Sequence, residues 1–232
     1  MKLEKLREQV CEANKQLIKS GLVILTWGNV SALDPDERLV VIKPSGVKYE
    51  NLTPENMVIT DLDGNVVEGE YKPSSDTYTH VEVYKNFPDI RSIVHTHSHW
   101  ATTWAQVGMD IMPMGTTHAD DFWGNIPCTR ELTEKEICQE YEKNTGKVIV
   151  ETLQNLDVQK CFAVLVKEHG PFVWDSTPEK AVEKAIVLEE VAHLAYNCRV
   201  LNPEYKQMSY VLMKKHFERK HGVSAYYGQH IE

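Results

Sequence analysis

Two histidines one residue apart, His95 and His97, close an apolar stretch that contains Ile93 and Val94. In an extended strand, residues i and i+2 point to the same side, so both imidazoles can reach one ion. Divalent ions of borderline softness accept imidazole nitrogen, and a catalytic centre leaves one coordination position open. Ten histidines in 232 residues give roughly 0.4 such pairs by chance, so two ordinary strand histidines are the alternative. A second apolar run, Val164–Val166, leads into Lys167-Glu168-His169-Gly170-Pro171. It places a third histidine at a strand end, where a turn at Gly-Pro can present it. Asp76, in Pro73-Ser74-Ser75-Asp76, is a candidate oxygen donor. It also stands where a helix N-cap would, and it can serve as both. Three histidines and a carboxylate without cysteine suit zinc, with manganese as the alternative, in a catalytic rather than structural role.

The elements that must position these groups are readable from hydrophobic period and punctuation. Leu3, Leu6, Val10, Leu17 and Ile18 fall near one face of an N-terminal helix that Gly21 stops. Short β-type runs follow at Leu22–Trp27, Leu39–Lys43 and Met57–Asp61, and Asp63-Gly64 predicts a hairpin into Val66–Val67. A helix is expected over Asp76–Phe87, a strand over Ile90–His97, and a helix over His99–Val107 with Ser98 as N-cap. Met112–Arg130 is long for a plain connection and carries Asp120 and Asp121, which marks it as functional. Thr133–Asn144 and Lys147–Asn155 look helical, and Ala163–Val166 is a buried strand type. Thr177 caps and Pro178 opens a helix to Cys198, with Ala181, Val182, Ala185, Ile186 and Val191 inward. Pro203 separates it from a basic helix around Gln207–Lys220. No repeat or low-complexity tract interrupts the chain, so one α/β domain over 1–232 is the simplest reading.

Composition restricts the partners. The net charge of −9, from 34 acidic and 25 basic residues, disfavours nonspecific attraction to nucleic acid or anionic lipid. An anionic substrate would need a local cationic pocket to overcome that field. The five cysteines are widely spaced without a C-x-x-C pair, which argues against a disulfide framework and a thiolate zinc site. The N-terminal segment has charges throughout and no apolar core of a signal peptide, and no apolar run approaches the ~20 residues of a membrane span. A reducing cytoplasm is the expected location.

Beyond these single features, a series of motifs runs in order along the chain. They are Thr26-Trp27-Gly28-Asn29-Val30-Ser31, Ile42-Lys43-Pro44-Ser45-Gly46, Lys72-Pro73-Ser74-Ser75-Asp76-Thr77 and Val94-His95-Thr96-His97-Ser98. Gly115-Thr116-Thr117-His118-Ala119-Asp120, Ile126-Pro127-Cys128-Thr129-Arg130, His169-Gly170-Pro171-Phe172 and a tail from Arg219 to Gly228 complete it. Together they make the chain resemble the class II aldolase/epimerase superfamily, and within it the L-ribulose-5-phosphate 4-epimerases, over essentially its whole length.

The resemblance implies a three-layer α/β/α fold, with a central, mainly antiparallel sheet flanked by helices and a C-terminal helical tail (about 203–232) that completes the active site. It implies Asp76, His95, His97 and His169 as metal positions. Gly28-Asn29, Ser45-Gly46 and Ser74-Ser75 would line the substrate and its phosphate, where glycine lets backbone N–H groups approach an anion and serine adds donors. Taken alone, Gly28-Asn29 and Ser45-Gly46 are equally plain turns. Lys43 would supply a point charge, and Thr116, His216 and Arg219 belong to the same substrate set. Asp120 and Tyr227 match the acid/base pair, which the resemblance implies comes from a neighbouring subunit of a homotetramer. Departures at Tyr78, His99-Trp100 and Lys167-Glu168 flank the motif positions and bear on substrate preference.

The implied activity interconverts L-ribulose 5-phosphate and D-xylulose 5-phosphate by retro-aldol cleavage between C3 and C4 and re-addition to the other face. Acid/base groups on both sides of the plane suit that demand. Two alternatives stand beside it: an aldolase of the L-fuculose-1-phosphate type, which uses a Glu near the position of Asp76, and a non-catalytic scaffold on the same fold. A Schiff-base mechanism through Lys43 or Lys72 finds no desolvating apolar run around either lysine.

Overall fold

The computed structural model describes residues 1–223 and 225–227. Helix α1 (Glu4–Lys19) turns Val10, Ala13, Asn14 and Leu17 inward at helical spacing. Ile18 stays largely exposed. The chain then reverses at Gly21, and the segment Leu22–Trp27 is not the expected strand. Leu25 takes a left-handed φ of 56°, the Trp27 N–H donates to the Ile24 carbonyl (3.0 Å), and Ile24, Leu25 and Trp27 face solvent. Pairing begins two residues later, in β1 (Asn29–Asp34), where every residue but the last is buried.

Two short strands follow, β2 (Leu39–Ile42) and β3 (Val58–Thr60), and a hairpin leads to β4 (Val66–Glu68) as the Asp63-Gly64 signal predicts. Helix α2 (Thr77–Asn86) feeds β5 (Ser92–His95), and helix α3 (His99–Val107) follows. Ser98 occupies the cap position of α3 without using its hydroxyl. The Glu189 carboxylate accepts from the Trp100 and Ala101 N–H groups instead (2.7 and 3.0 Å). The long connection contains one helical turn, α4 (Thr116–Ala119).

Next come α5 (Glu134–Cys138), α6 (Tyr141–Leu153) and α7 (Val158–Cys161). The break between α5 and α6 falls at Glu140 (φ 49°), not between Asn144 and Lys147 as expected. Gly146 sits inside α6 because a Cβ there would meet Glu82 Cβ of α2 at 2.6 Å. Strands β6 (Ala163–Val166) and β7 (Gly170–Asp175) form a hairpin. Helix α8 (Pro178–Leu201) opens on Thr177, whose side chain accepts from Lys180 N–H (3.3 Å). Ala181, Val182, Ala185 and Val191 face inward as predicted, but Ile186 faces outward. Helix α9 (Tyr210–His221) closes the described fold; Gly228, the end of the tail motif, lies outside the described residues.

The seven strands form one sheet in the order β4-β3-β2-β1-β5-β7-β6, with every neighbouring pair antiparallel. All residues of β2, β5 and β6 are buried, so both faces are covered. This explains why β2 and β6 read as continuous apolar runs rather than as alternating ones. Helices α1, α3 and α8 pack on β1, β5 and β7, and α2 pairs with α6. Ser31 of β1 faces α2, where its hydroxyl meets His80 and Tyr84. By strand alternation Asn29 shares that face. The register then sets Asn29 opposite His95 and His95 opposite Phe172, one row across three strands.

Candidate metal centre and a second polar cluster

His95 is the last residue of β5, and its position is over-determined. Its ring stacks on Phe172 (centroids 4.2 Å apart), and its Nδ1–H donates to the Pro171 carbonyl (3.0 Å). His97 lies beyond the strand, a correction to the expected Ile90–His97 run. The path stays extended there, and Thr96 N–H still reaches the Pro171 carbonyl (3.4 Å). Both rings therefore remain on one side, 5.0 Å between centroids. His169 belongs to the β6–β7 turn, where Glu168 takes φ 61° and His169 N–H donates to Val166. Gly170-Pro171 begins β7 rather than making the turn. Glycine is required at 170 by crowding, since a Cβ would lie 2.6 Å from the Thr96 carbonyl oxygen.

The ligand atoms of His95, His97 and His169 lie within 4.8 Å of one another. The His95 Nε2 is buried and has no hydrogen-bond partner. A buried nitrogen left without a partner costs about 1–3 kcal/mol, and a divalent ion on the three rings would satisfy it. Burial pushes the pKa of His97 and of His169 down, helped by His95, so both offer a lone pair rather than a proton. The chemistry of this donor set fits a metal ion.

Asp76 precedes α2 but makes no side-chain cap. Its Oδ2 instead accepts from Asn29 Nδ2 (2.7 Å), which also donates to Ser74 Oγ (3.1 Å). Burial raises the Asp76 pKa, but His95, His80 and His169, with the Asn29 amide, outweigh that and hold it below the usual carboxylate value. A cavity of about 560 Å³ opens on these groups. Its lining contains Gly28, Asn29, Lys43, Ser45, Gly46, Ser74, Ser75, Asp76, His97 and His169, all expected from the sequence. Paired backbone bonds, Ser45 N–H to Lys72 and Ser74 N–H to Lys43, lay the two serine loops side by side. Gly28 has φ 90°, and a Cβ there would lie 2.8 Å from the His95 carbonyl, so it is more than a plain turn. Lys43 corrects the expectation of no desolvating surroundings: it follows the buried β2, lies over the Tyr49 ring (4.9 Å), and burial lowers its pKa to about 8 against the pull of Asp76.

The remaining expected residues do not line this cavity. Thr116 and Asp120 lie at the two ends of α4, and Asp120 is held by α9. Its carboxylate accepts from Arg219 Nε and Nη2 (3.1 and 2.8 Å) and lies 3.0 Å from His216 Nδ1. Tyr227, exposed, lies under the Arg219 guanidinium (4.9 Å to the ring centroid). Asp120, His216, Arg219 and Tyr227 thus form one cluster, separate within the chain from the three histidines. The sequence reading missed Tyr141 and Glu142, which line the histidine cavity; the Tyr141 hydroxyl is 3.4 Å from His169 Nδ1. It also missed His80. The polar series Asp76, His80, Tyr84 at four-residue intervals was the available signal.

Residues 8–196 match the family described as Class II Aldolase and Adducin N-terminal domain. The chain belongs to that family. Among solved structures it is similar to an L-fuculose 1-phosphate aldolase, at 25% identity over 93% of this chain and 95% of that one, with a TM-score of 0.74. YgbL of Klebsiella pneumoniae, a proposed aldolase/epimerase/decarboxylase, is similar at 25% identity over 93% and 99%, with the same TM-score. The L-fuculose-1-phosphate aldolase of Thermus thermophilus shares the fold at 23% identity over 87% and 98%, with a TM-score of 0.67. Class II aldolases use a divalent metal, and the histidine triad stands where such an ion can be held. No described helix is long and apolar enough to cross a membrane.

Proposed function

We propose that this class II aldolase-family chain is a metal-dependent L-ribulose-5-phosphate 4-epimerase. The observation that carries the metal-dependent part is the buried, unpartnered His95 Nε2 facing His97 and His169 beside an ionised Asp76. His95, His97, His169 and Asp76 would hold the ion, zinc before manganese for this donor set. When bound, it supplies Lewis acidity that polarises a substrate carbonyl. The chain's own groups do the rest. Ser45, Gly46, Ser74 and Ser75, with the Lys43 ammonium, bind the phosphate and keep the cleaved aldehyde from escaping. One of Asp120 and Tyr227 takes the proton of the C4 hydroxyl as the C3–C4 bond breaks. The other returns a proton to the C4 oxygen after the aldehyde has turned and the bond has re-formed on its opposite face. Because these two lie in a cluster apart from the histidines, the active site is composed between neighbouring subunits of a homo-oligomer, with a tetramer expected.

An aldolase acting on L-fuculose 1-phosphate is the second reading, favoured by the 25% identity to such an enzyme. Asp rather than Glu at 76 and the assembled Asp120–Tyr227 cluster favour the epimerase. Side-by-side assays of L-ribulose 5-phosphate and L-fuculose 1-phosphate, with and without chelator, separate them. D-Xylulose 5-phosphate should form, and only with metal; an aldehyde released from the fuculose ester alone would establish the aldolase. Full turnover after chelation would remove the metal from the mechanism, and unchanged turnover in Tyr227→Phe would remove that tyrosine.

A further inference from the structure

Behind the histidine cavity a polar ladder starts at Asp76 and continues into buried groups that the proposed chemistry does not use. Asp76, His80 and Tyr84 follow at four-residue intervals into and along α2, so they share one helix face. That face lies on Ser31 of β1, whose Oγ is 2.7 Å from His80 Nδ1 and 2.8 Å from Tyr84 Oη. Ser31, His80 and Tyr84 are all buried. Counting protons gives the ladder a direction. A phenol has one O–H to donate; Tyr84 meets Ser31 Oγ and the Ile93 backbone N–H, which is itself a donor, so Ser31 accepts. The serine proton then goes to its other neighbour, His80 Nδ1. A neutral imidazole that accepts at Nδ1 carries its own proton on Nε2.

That Nε2–H is buried and has no partner. His80 does not line the cavity, so its acceptor is not a ligand bound there. Two groups whose charge is felt at His80 have unused lone pairs, the Asp76 carboxylate and His95 Nε2, and an ion on His95 would consume the second. Asp76 begins the same helix face one turn earlier, its Oδ2 already taken by Asn29. We propose that His80 is a positioning residue: its Nε2–H, without a partner in this structure, is accepted by the Asp76 carboxylate once that carboxylate faces a divalent ion bound by His95, His97 and His169. The assignment rests on the metal-site reading above. Its role is to orient a ligand through a hydrogen bond made behind it, and partners of that kind typically change metal affinity by about 10–100-fold.

Long-range ¹H–¹⁵N spectra of histidine-labelled wild-type protein, without metal and with zinc, report the tautomer without any substitution. Proton on Nε2 of His80 in both states is expected; proton on Nδ1 overturns the proposal. Zinc affinity, measured by competition with a chromophoric chelator, should fall about 10–100-fold in His80→Phe and recover in part in His80→Gln, which keeps an N–H. Thermal unfolding of the metal-free proteins controls for folding. A folded His80→Phe protein that binds zinc as tightly as wild type would sink the proposal. Wild type that binds no zinc overturns the metal-site reading together with it. Tight wild-type binding with an Nδ1-protonated His80 removes only the role of His80.

Discussion

At the scale of single residues, the histidine site is held by close backbone approach as much as by side-chain bonds. Gly28, just before β1, and Gly170, the first residue of β7, flank the His95-Thr96 segment, and a Cβ at either position would press on its carbonyl oxygens at 2.8 and 2.6 Å. Gly28 also needs its φ of 90°, a conformation that L side chains rarely adopt. Tyr49 braces the same loop, its hydroxyl within reach of the Trp27 and Gly28 carbonyls (3.0 and 2.8 Å). We expect Gly28→Ala to lose about 2 kcal/mol or more in denaturant unfolding, from combined strain and contact. Zinc affinity should fall with it, because the displaced atom is the backbone of a ligand. A variant with wild-type stability and affinity would show that the loop adapts freely. The residues that crowd here were legible as a Gly-Asn dipeptide and a His-Gly-Pro motif. Crowding itself was not, because it depends on which strands become neighbours.

Among the elements, α9 and its seat decide where the second cluster stands. Helix α9 packs on α4 over a small apolar group of Ala119, Met208 and Met213 against Trp123, and charge completes the joint. Asp121, mostly buried, accepts from Lys184 of α8 (2.9 Å) and Lys220 of α9 (2.8 Å), while Lys184 lies over the Phe162 ring (4.6 Å). Burial would raise the Asp121 pKa, but the two lysines override it and keep the carboxylate ionised. Lys184→Met leaves that carboxylate with only the more exposed Lys220. The expected cost is about 3 kcal/mol, at the lower end of what breaking a buried pair removes. Adding Asp121→Leu should return much of the loss, whereas additive losses in the double variant would show that the two side chains act independently. The basic 207–220 segment was legible as a helix from Pro203 and its composition, but its face was not. Its docking is polar, with Asp120 and Asp121 gathering cations from two helices, and hydrophobic period carries no trace of that. The misplaced α5–α6 break has a similar origin, since Glu140 makes a turn without the glycine or proline that marks one.

For the molecule as a whole, buried neutral histidines set the acid limit of stability. Burial lowers the pKa of His80 to about 3 and of His118 to about 4; His118 Nε2 donates to the Gly124 carbonyl (2.8 Å). For a histidine whose folded pKa lies below its unfolded value of 6.5, the unfolded chain binds the extra proton first. Stability is therefore intact above about pH 6.5 and is lost as pH falls toward 4, by about 3 kcal/mol for His118 alone. Urea unfolding midpoints across that range should fall steeply in wild type and less steeply in His118→Asn; parallel curves would remove His118 as a cause.

Assembly is the property least legible from one chain, because the proposed site would take half of its groups from a second copy. The antiparallel sheet flanked by helices and the histidine triad were expected from motifs within the chain, and the family match over residues 8–196 agrees with that fold. By contrast, Asp120, His216, Arg219 and Tyr227 are gathered at α4, α9 and the segment after α9, and none of them is among the described residues lining the cavity of His97 and His169. If each site takes its histidines from one subunit and its acid/base pair from the next, two inactive variants can complement each other. His97→Ala removes one half and Asp120→Asn the other. In a randomly mixed oligomer, a site is intact when its histidines come from the Asp120→Asn chain and its acid/base pair from the His97→Ala chain. That combination arises in about a quarter of sites for equal mixing in a closed ring. Co-expressed with separable tags and purified through both, the hybrid should recover roughly that fraction of wild-type turnover. Recovery cannot occur if both halves act within one chain, since every subunit then carries a lesion in its own site. A hybrid oligomer that forms but stays as inactive as its parents would refute the composite site and leave Asp120 and Tyr227 as parts of a separate cluster.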